Sequence, residues 1–259
     1  MNHKTIFNNL DDIDVVILCG GFGTRLRSVV NDRPKVLAKI GNRTFIDILI
    51  DNIKIYGFKN IILCVGYLKD QIKNHFNNNY KDYNIRFSDE NTPLGTGGAL
   101  KNAMSLINSD PFMVMNGDSI CKTNYQDFYN FHINKNAILS MVLTKSKMHQ
   151  DFGNVILDQS QRIIKYQEKE NINYIKDEMG NKDKYLINAG IYLMRKDIFS
   201  YMPNNDQFSL EYDFFPKLID KNNSGDTINS INNKCFGFIT ECELIDIGTP
   251  ERYKRMIIC

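Results

Sequence analysis

The stretch Val15–Lys35, VVILCGGFGTRLRSVVNDRPK, decides how this chain of 259 residues is interpreted. It begins with an apolar, mostly β-branched run typical of a buried strand, and then turns through glycines that are followed by cations. Glycine lets backbone N–H groups approach phosphate oxygens closely, and Arg and Lys neutralise the phosphate charge. The stretch therefore predicts an α/β protein that binds a polyphosphate. Its glycines are Gly20, Gly21 and Gly23, and the cations that we consider for phosphate binding are Arg25, Arg27 and Lys35.

Two common phosphate-binding motifs do not fit this loop. The dinucleotide fingerprint GxGxxG requires a third glycine where Leu26 stands. A Walker A loop requires GK[ST] after its glycines, and no such triplet follows Gly23. An NAD-dependent dehydrogenase and a P-loop NTPase are therefore both disfavoured.

Composition limits the remaining classes of protein. A hydrophobic content of 42% is enough for a core, and the length suits one α/β domain or a domain with a small lobe. The net charge of +2 gives no general field for nucleic acid or a membrane surface. There is no signal-peptide pattern, no apolar run long enough to span a bilayer, and no CxxC pair among the cysteines. We therefore expect a cytoplasmic protein without a nucleic acid or membrane partner.

The first half of the chain alternates strands and helices. Apolar residues at helical spacing predict one helix over Thr44–Tyr56, with Thr44 as its N-cap and Gly57 as its stop. The alternation predicts a mostly parallel sheet with helices on both faces. The other predicted elements are strands Ile13–Leu18, Asn60–Val65, Asn84–Phe87, Pro111–Met115 and Ile138–Thr144, and helices Leu68–Phe76, Gly97–Ile107 and Tyr125–Asn134.

The second half is different in character and predicts a smaller antiparallel portion. Its predicted elements are a hairpin of Asn154–Asp158 and Arg162–Glu168, a strand Tyr185–Arg195, a helix Glu211–Ile219, a strand Cys235–Thr240 and a helix Glu251–Ile257. The most polar segment, 169–184, is interpreted as an insertion or loop. We therefore expect an N-terminal tail (1–12) and a single domain (13–259), with halves at 13–145 and 146–259.

Two further glycine motifs stand at predicted sheet edges. Glycines in the run Leu94–Ala99, LGTGGA, would let the backbone approach a flat ligand such as a base. Asp89 and Glu90 precede this run, and the sequence leaves open whether they face the site or solvent. Asp118 follows a buried strand in NGD, which is where ligand sites of α/β proteins lie, although an N-cap is the alternative.

Together these motifs resemble those of the sugar-1-phosphate nucleotidyltransferases. The resemblance rests on LCGGFGTRL, RPKVLAKIGNRTFID, LGTGGAL, NGD and DIGTPE, and it extends over residues 14–255. It implies a Rossmann-like mixed sheet of the GT-A-like type and the reaction NTP + sugar 1-phosphate → NDP-sugar + pyrophosphate. It also implies Arg25, Lys35 and Asp118 as catalytic residues, and Mg²⁺ held by Asp118 and Asp246.

The same resemblance implies two sets of binding residues. The nucleotide would contact Leu18, Gly20, Gly21, Gly23, Thr24, Arg25, Gly95, Thr96, Gly97 and Gly98. The sugar phosphate would contact Asn116, Gly153, Glu168, Lys169, Asn188, Gly190 and Glu211. Two assignments remain open. Glu170 stands where the family has a proline, which leaves the backbone around Glu168 and Lys169 undetermined. Glu211 could cap its own helix instead of binding the sugar.

LGTGGAL and NGDS are most similar to heptose- and mannose-1-phosphate guanylyltransferases. The implied substrates are GTP and D-glycero-D-manno-heptose 1-phosphate, for surface polysaccharide synthesis, and a homodimer is common in the family. The alternatives are a UTP-, dTTP- or CTP-dependent enzyme, and a cytidylyltransferase that acts on a non-sugar phosphate. A paralogue that binds without turnover is disfavoured because Lys35, Asp118 and Asp246 are all present.

Overall fold

The computed structural model describes residues 10–145, 153–168, 186–219 and 233–258, and a nine-stranded mixed sheet lies at the centre of these ranges. The strands are β1 (Asp14–Leu18), β2 (Lys39–Ile40), β3 (Arg43–Thr44), β4 (Asn60–Val65), β5 (Asn84–Asp89), β6 (Phe112–Asn116), β7 (Ser119–Cys121), β8 (Leu139–Lys145), β9 (Asn154–Leu157), β10 (Ile163–Gln167), β11 (Leu186–Met194), β12 (Cys235–Thr240) and β13 (Leu244–Asp246). The α-helices are α1 (Phe45–Lys54), α2 (Lys69–Asn79), α3 (Gly95–Asn102), α4 (Tyr125–Asn134), α5 (Phe215–Ile219) and α6 (Pro250–Ile258).

The parallel part of the sheet has the order β5-β4-β1-β6. β1 lies in its middle, and Val15, Val16 and Ile17 are fully buried because helices cover both faces. Val15 and Ile17 belong to the cluster that packs under α1, α2 and α4, whereas Val16 belongs to the cluster under α3 and α5. The predicted α/β fold with a mostly parallel central sheet is therefore confirmed.

β11 joins this parallel core to the antiparallel part. Its last residues pair with β6 and its first residues pair with β9 of the β9–β10 hairpin, while β8 runs along its other edge. β12 extends the sheet in parallel beyond β8. The ladder between β11 and β8 shifts register around Gly190, whose φ is +71°. The antiparallel portion expected in the second half is therefore continuous with the parallel core.

Local chemistry explains where two helical segments begin. α1 starts with a capping box, because the Thr44 side chain accepts from the Asp47 N–H and the Asp47 carboxylate accepts from the Thr44 N–H. The helix predicted over Glu211–Ile219 is instead a π-helical turn, Leu210–Phe214, that leads into α5. The turn is wide because the Phe214 N–H reaches back to the Ser209 carbonyl, five residues earlier.

Some short elements are not apparent from the sequence. The strands β2, β3, β7 and β13 have two or three residues each, too few for a periodic pattern. Leu10–Asp12, placed in the tail by the sequence, form a 3-10 turn whose Leu10 is buried. Tyr185 and the predicted 169–184 insertion lie outside the described residues. None of the helices in the described ranges has both the length and the apolar composition needed to cross a bilayer.

Candidate active site

A cleft of about 370 Å³ opens where β1 and β6 end, between the glycine loop and the start of α3. This edge of the parallel sheet is where α/β proteins place their ligands. The cleft brings together residues from the glycine loop, from LGT, from NGD and from DIGTPE, which are far apart in the sequence. Its lining residues are Leu18, Cys19, Gly20, Gly21, Phe22, Gly23, Thr24, Arg25, Lys35, Val36, Glu90, Pro93, Leu94, Gly95, Thr96, Ala99, Asn116, Asp118 and Gly248.

The glycine loop directs its two arginines differently. Arg25 lines the cleft. The Arg27 guanidinium instead lies 4.5 Å from the ring centroid of Tyr67, which contacts Phe22. Gly23 has φ +60°, and a Cβ there would lie 3.2 Å from the Cβ of Lys35. The loop is therefore held closely against Lys35 and presents Arg25, not Arg27, to a ligand.

Lys35 and the two aspartates meet through a short two-stranded ladder. The Lys35 ammonium pairs with the Asp118 carboxylate. β13 lies antiparallel to β7 and places Asp246 opposite Ser119, the residue after Asp118. The Asp246 carboxylate accepts from the Gly248 N–H at 2.8 Å and from Arg252 at 3.0 and 3.1 Å. Resemblance alone suggested that Asp118 and Asp246 act together, and the ladder between β7 and β13 brings these two residues close to each other.

The donor atoms at this point suit a magnesium ion. Asp118 and Asp246 offer hard carboxylate oxygens, and a carboxylate has about four acceptor sites, more than the protein donors use. Within the described ranges there is no cluster of three or more His, Cys, Asp or Glu side chains. A cation here would therefore take its other ligands from water and substrate phosphates, as Mg²⁺ usually does. The Mg²⁺ site stays a prediction with which the residues are compatible.

Glu90 is a cleft residue that the sequence could not assign. It is only 8% exposed, and burial raises the pKa of its carboxyl group. Its Oε2 accepts a long bond of 3.4 Å from the Leu94 N–H, while its Oε1 is buried and has no partner among the described residues. Asp89, by contrast, pairs with Lys73 at 2.6 Å and Lys69 at 3.4 Å on the outer surface. Glu90 thus faces the cleft, and Asp89 does not.

The glycines at the start of α3 have two different surroundings. Gly95 and Thr96 line the cleft. Gly97 and Gly98 are not among the lining residues, and their N–H groups donate to the Phe208 carbonyl at 3.0 and 3.1 Å. Their lack of side chains serves close packing against the 206–208 segment. The start of α3 is therefore held in place by a segment of the second half of the chain.

Asn116 and Gly190 meet at the border between the two predicted binding regions. Asn116 lines the cleft, and its Oδ1 is buried without a partner in the described part of the chain. A Cβ on Gly190 would lie 2.7 Å from the Asn116 Nδ2. Glycine is therefore required at position 190 both for its positive φ and for the space that Asn116 occupies.

The other predicted sugar residues contact one another. Glu168 accepts from the Tyr166 hydroxyl at 3.0 Å, and a Cβ on Gly153 would lie 2.6 Å from that hydroxyl. Asn188 is 9% exposed and donates to buried tyrosine hydroxyls, and Glu211 accepts from the hydroxyls of Thr96 and Ser209. Lys169 lies outside the described residues.

Sequence reasoning left one residue of this region, Glu90, unassigned and missed three others, for different reasons. Glu90 stands at the end of an edge strand, where alternation does not determine which face a side chain takes. Arg252 follows the DIGTPE motif, and nothing in its spacing shows that it reaches back to Asp246. Tyr166 and Tyr192 lie in apolar strands and would normally be assigned to the core; their hydroxyls are the signal that could have identified them.

Comparisons with known proteins agree with this architecture. The sequence profile of a family described as Nucleotidyl transferase matches residues 14–256. A D-glycero-alpha-D-manno-heptose 1-phosphate guanylyltransferase of Aneurinibacillus thermoaerophilus is 32% identical over 94% of this chain and 96% of its own. A mannose-1-phosphate guanylyltransferase of Mycobacterium tuberculosis is 28% identical over 94% of this chain and 63% of its own.

A solved structure is similar over nearly the whole chain. The crystal structure of HddC from Yersinia pseudotuberculosis complexed with GMP-PN superimposes with a TM-score of 0.75. The sequences are 32% identical, and the match covers 95% of this chain and 98% of that chain.

Proposed function

Because this chain belongs to the nucleotidyl transferase family, we propose that it transfers a guanylyl group from GTP to a sugar 1-phosphate, best fitted by D-glycero-D-manno-heptose 1-phosphate. The products would be GDP-heptose and pyrophosphate. Relatives of matching length that carry this activity in their names support the choice of sugar. GDP-heptose would then serve as a donor for the synthesis of surface polysaccharide.

The observation that carries the choice of base is the buried Glu90 carboxylate in the cleft, whose Oε1 has no partner among the described residues. Guanine presents two neighbouring donors, N1–H and the exocyclic N2–H₂, and a carboxylate can accept from both. Uracil and thymine present one ring N–H between two carbonyls, and those carbonyls would face the carboxylate unfavourably. A buried acceptor that is left unpaired is costly, so a base that satisfies it is selected.

The groups on the nucleotide side suit transfer of a nucleotidyl group. Backbone N–H groups of the glycine loop and the Arg25 guanidinium would bind the triphosphate, and Lys35 would neutralise charge that develops around the α-phosphate. A sugar-phosphate oxygen attacks the α-phosphorus in line, and the bond to pyrophosphate breaks. The attacking oxygen is already anionic at neutral pH, so no general base is needed.

Asp118 and Asp246 would hold Mg²⁺, which when bound supplies Lewis-acid stabilisation of phosphate charge. Lys35 pairs with Asp118, so this lysine would lie at the border between the carboxylates and a bound triphosphate. Arg252 and the Gly248 N–H hold Asp246 from the opposite side. The chain's own contribution is thus to orient two carboxylates and one ammonium around the reacting phosphate.

A matched pair of substitutions tests the choice of base. We expect Glu90→Gln to lower kcat/KM for GTP by roughly 10- to 100-fold, since a charge-assisted hydrogen bond contributes about 1.5–3 kcal/mol. The neighbouring change Asp89→Asn should leave the preference for GTP unchanged, because Asp89 faces Lys73 and Lys69. Equal effects of the two changes would contradict the assignment of Glu90 to guanine.

A substrate panel tests the reaction itself. GTP, UTP, dTTP and CTP would each be incubated with Mg²⁺ and heptose 1-phosphate, mannose 1-phosphate, glucose 1-phosphate or phosphocholine, and pyrophosphate release would be measured. GTP with heptose 1-phosphate should give the highest kcat/KM. Faster release with CTP and phosphocholine would favour the cytidylyltransferase alternative, and no release with any pair would refute the proposed reaction.

A further inference from the structure

Arg252 is a cation in an unfavourable place, the first turn of a helix. It is the third residue of α6, and its backbone N–H donates to the Thr249 hydroxyl at 3.4 Å. The N-terminus of a helix carries partial positive charge, so a cation in the first turn is disfavoured. The acidic residue of the same turn, Glu251, is exposed to solvent. The position of Arg252 therefore does not serve the helix, and a contact elsewhere has to compensate for it.

The compensating contact is an ion pair with Asp246. Arg252 Nη1 donates to both carboxylate oxygens of Asp246, at 3.0 and 3.1 Å. The pair is shielded from solvent, because the two side chains are only 14% and 11% exposed. Asp246 has a second donor, the Gly248 N–H at 2.8 Å, and its backbone is held opposite Ser119 in the ladder between β13 and β7. The orientation of Asp246 thus does not depend on Arg252 alone.

Other cations of the cleft approach the same point. A Cβ on Gly248 would lie 2.7 Å from the Asp246 Oδ1. The same Cβ would lie 3.8 Å from two cationic nitrogens, those of Arg25 and Lys35. The Lys35 ammonium also pairs with Asp118. We call this group the carboxylate corner, and in it the cations outnumber the carboxylates. Its members are Arg25, Lys35, Asp118, Asp246 and Arg252.

This balance of charge opposes the binding of a free divalent cation. The carboxylate oxygens suit Mg²⁺ as donor atoms, but each carboxylate already faces a cation of the protein. Like charges repel each other strongly in a shielded site, because little water or salt screens them. A nucleoside triphosphate brings several negative charges, which would reverse the balance and attract Arg25 and Lys35. Arg252 is not among the residues that line the cleft, so it would remain with Asp246.

We propose that Arg252 is a positioning residue that lowers the affinity of the two carboxylates for a divalent cation until a nucleotide is bound. The inference rests on the Mg²⁺ site proposed above, and it concerns a residue that lies outside the motifs that predicted this site. The positive charge of Arg252 makes metal binding depend on the phosphates. Metal and nucleotide therefore strengthen each other's binding, by the same factor in both directions.

Binding of Mn²⁺, a paramagnetic substitute for Mg²⁺, tests this role without turnover. The full chain is freed of metal with a chelator and titrated with Mn²⁺ in the absence of nucleotide, and free Mn²⁺ is measured by electron paramagnetic resonance. We expect Arg252→Met, which keeps a long side chain and removes the charge, to bind Mn²⁺ about tenfold more tightly than the wild type, or better. The Mn²⁺ complex of α,β-methylene GTP, measured by calorimetry, should show a smaller difference between the two proteins.

Matched variants separate charge from other effects. Arg252→Gln is a second neutral variant and should show the same gain, whereas Arg252→Lys keeps the charge and should bind Mn²⁺ as weakly as the wild type. Arg255→Met removes a charge from the exposed last turn of the same helix and should also behave as the wild type. Combining Arg252→Met with Asp246→Asn should abolish the gain, because Asp246 would be the ligand responsible for it.

The sign of the effect decides the proposal. Equal or weaker binding of Mn²⁺ by Arg252→Met and Arg252→Gln would overturn it and leave Arg252 with the orientation of Asp246 only. A gain that persists after Asp246→Asn would overturn it as well, since the metal would then lie elsewhere. If the wild type binds no α,β-methylene GTP, the proposed function fails, while the comparison without nucleotide still decides the role of Arg252.

Discussion

The two sides of the cleft are built by different physical means. The nucleotide side lies at the ends of parallel strands and relies on backbone N–H groups and on charge, with Arg25, Lys35 and a buried Glu90. The other side lies on antiparallel strands and relies on hydrogen bonds of fixed direction: Asn188 donates to the hydroxyls of Tyr166 and Tyr192, and Tyr166 donates to the Glu168 carboxylate.

This difference corresponds to two kinds of ligand chemistry. A triphosphate presents the same charged oxygens whatever base it carries, so cations and glycine turns are sufficient to bind it. A sugar is distinguished by the directions of its hydroxyl groups, and a network whose hydrogens have fixed positions can discriminate between them. We therefore expect substitutions to have large electrostatic effects on the nucleotide side and smaller, geometric effects on the other side.

The largest expected effect is the loss of charge at Lys35. We expect Lys35→Ala to lower kcat about 1000-fold, because it removes a cation that would stabilise phosphate charge. Asp118→Asn should have an effect of the same size, because it removes a carboxylate that would hold Mg²⁺. Arg33→Ala is the control, since Arg33 is two residues away and pairs with Asp32. The measurement is pyrophosphate release at saturating substrates. A rate within tenfold of the wild type would show that charge is not what distinguishes the nucleotide side from the other side.

An intermediate effect is expected at low pH from His132, behind the antiparallel part. His132 lies on α4 against β8, bonds Ser140 at 2.8 Å, and has a buried Nε2 without a partner in the described residues. Burial lowers its pKa from 6.5 to about 3, so the unfolded chain takes up a proton first. The contribution of neutral His132 to the free energy of unfolding is therefore fully present above about pH 6.5. It falls as the pH decreases toward 3, and the loss is about 2 kcal/mol at pH 5.

Urea unfolding at pH 7.5 and pH 5.0 measures this loss, with His132→Gln as the comparison. The variant should be less stable at neutral pH and should show a weaker pH dependence. Because β8 pairs with β11, which carries Asn188 and Tyr192, acid should loosen the sugar side before the nucleotide side. The same pH dependence in both proteins would exclude His132 as its source.

The smallest expected effect is at Gly190, where the two sides meet. Gly190→Ala should cost about 1 kcal/mol of stability from its positive φ, and should lower kcat/KM about tenfold because the new Cβ displaces Asn116. Gly41→Ala is the control, since Gly41 has φ +59° but open space around it. It should show the loss of stability alone. Full activity in Gly190→Ala would show that the contact between the two sides does not affect turnover.

How well the sequence predicts this protein depends on how local each feature is. The glycine loop, Lys35 and the N-cap Thr44 of α1 depend on residues a few positions apart, and the sequence points to them. The parallel core follows from alternating strands and helices. The direction of the Glu90 side chain could not be predicted, because it depends on how the chain leaves the edge strand β5.

The sequence is least informative where contacts are distant and elements are short. Asp246 was paired with Asp118 only through family resemblance, because strands of three residues carry no periodic signal. Asn188 and Glu211 were interpreted one motif at a time, so the sequence did not show which hydroxyl groups each of them contacts. Only the folded chain shows that Asn188 donates to the hydroxyls of two tyrosines and that Glu211 accepts from the hydroxyls of Thr96 and Ser209.

The ladder between β7 and β13 also determines when activity can first appear during synthesis. Asp118 leaves the ribosome just after the parallel strands β1, β4, β5 and β6, whereas Asp246 follows only after β8, β11 and β12 have been made. Until Leu244–Asp246 pair with Ser119–Cys121, a nascent chain has its glycine loop but lacks the second carboxylate of the predicted Mg²⁺ site. This long-range closure therefore makes turnover one of the last properties that the growing chain acquires.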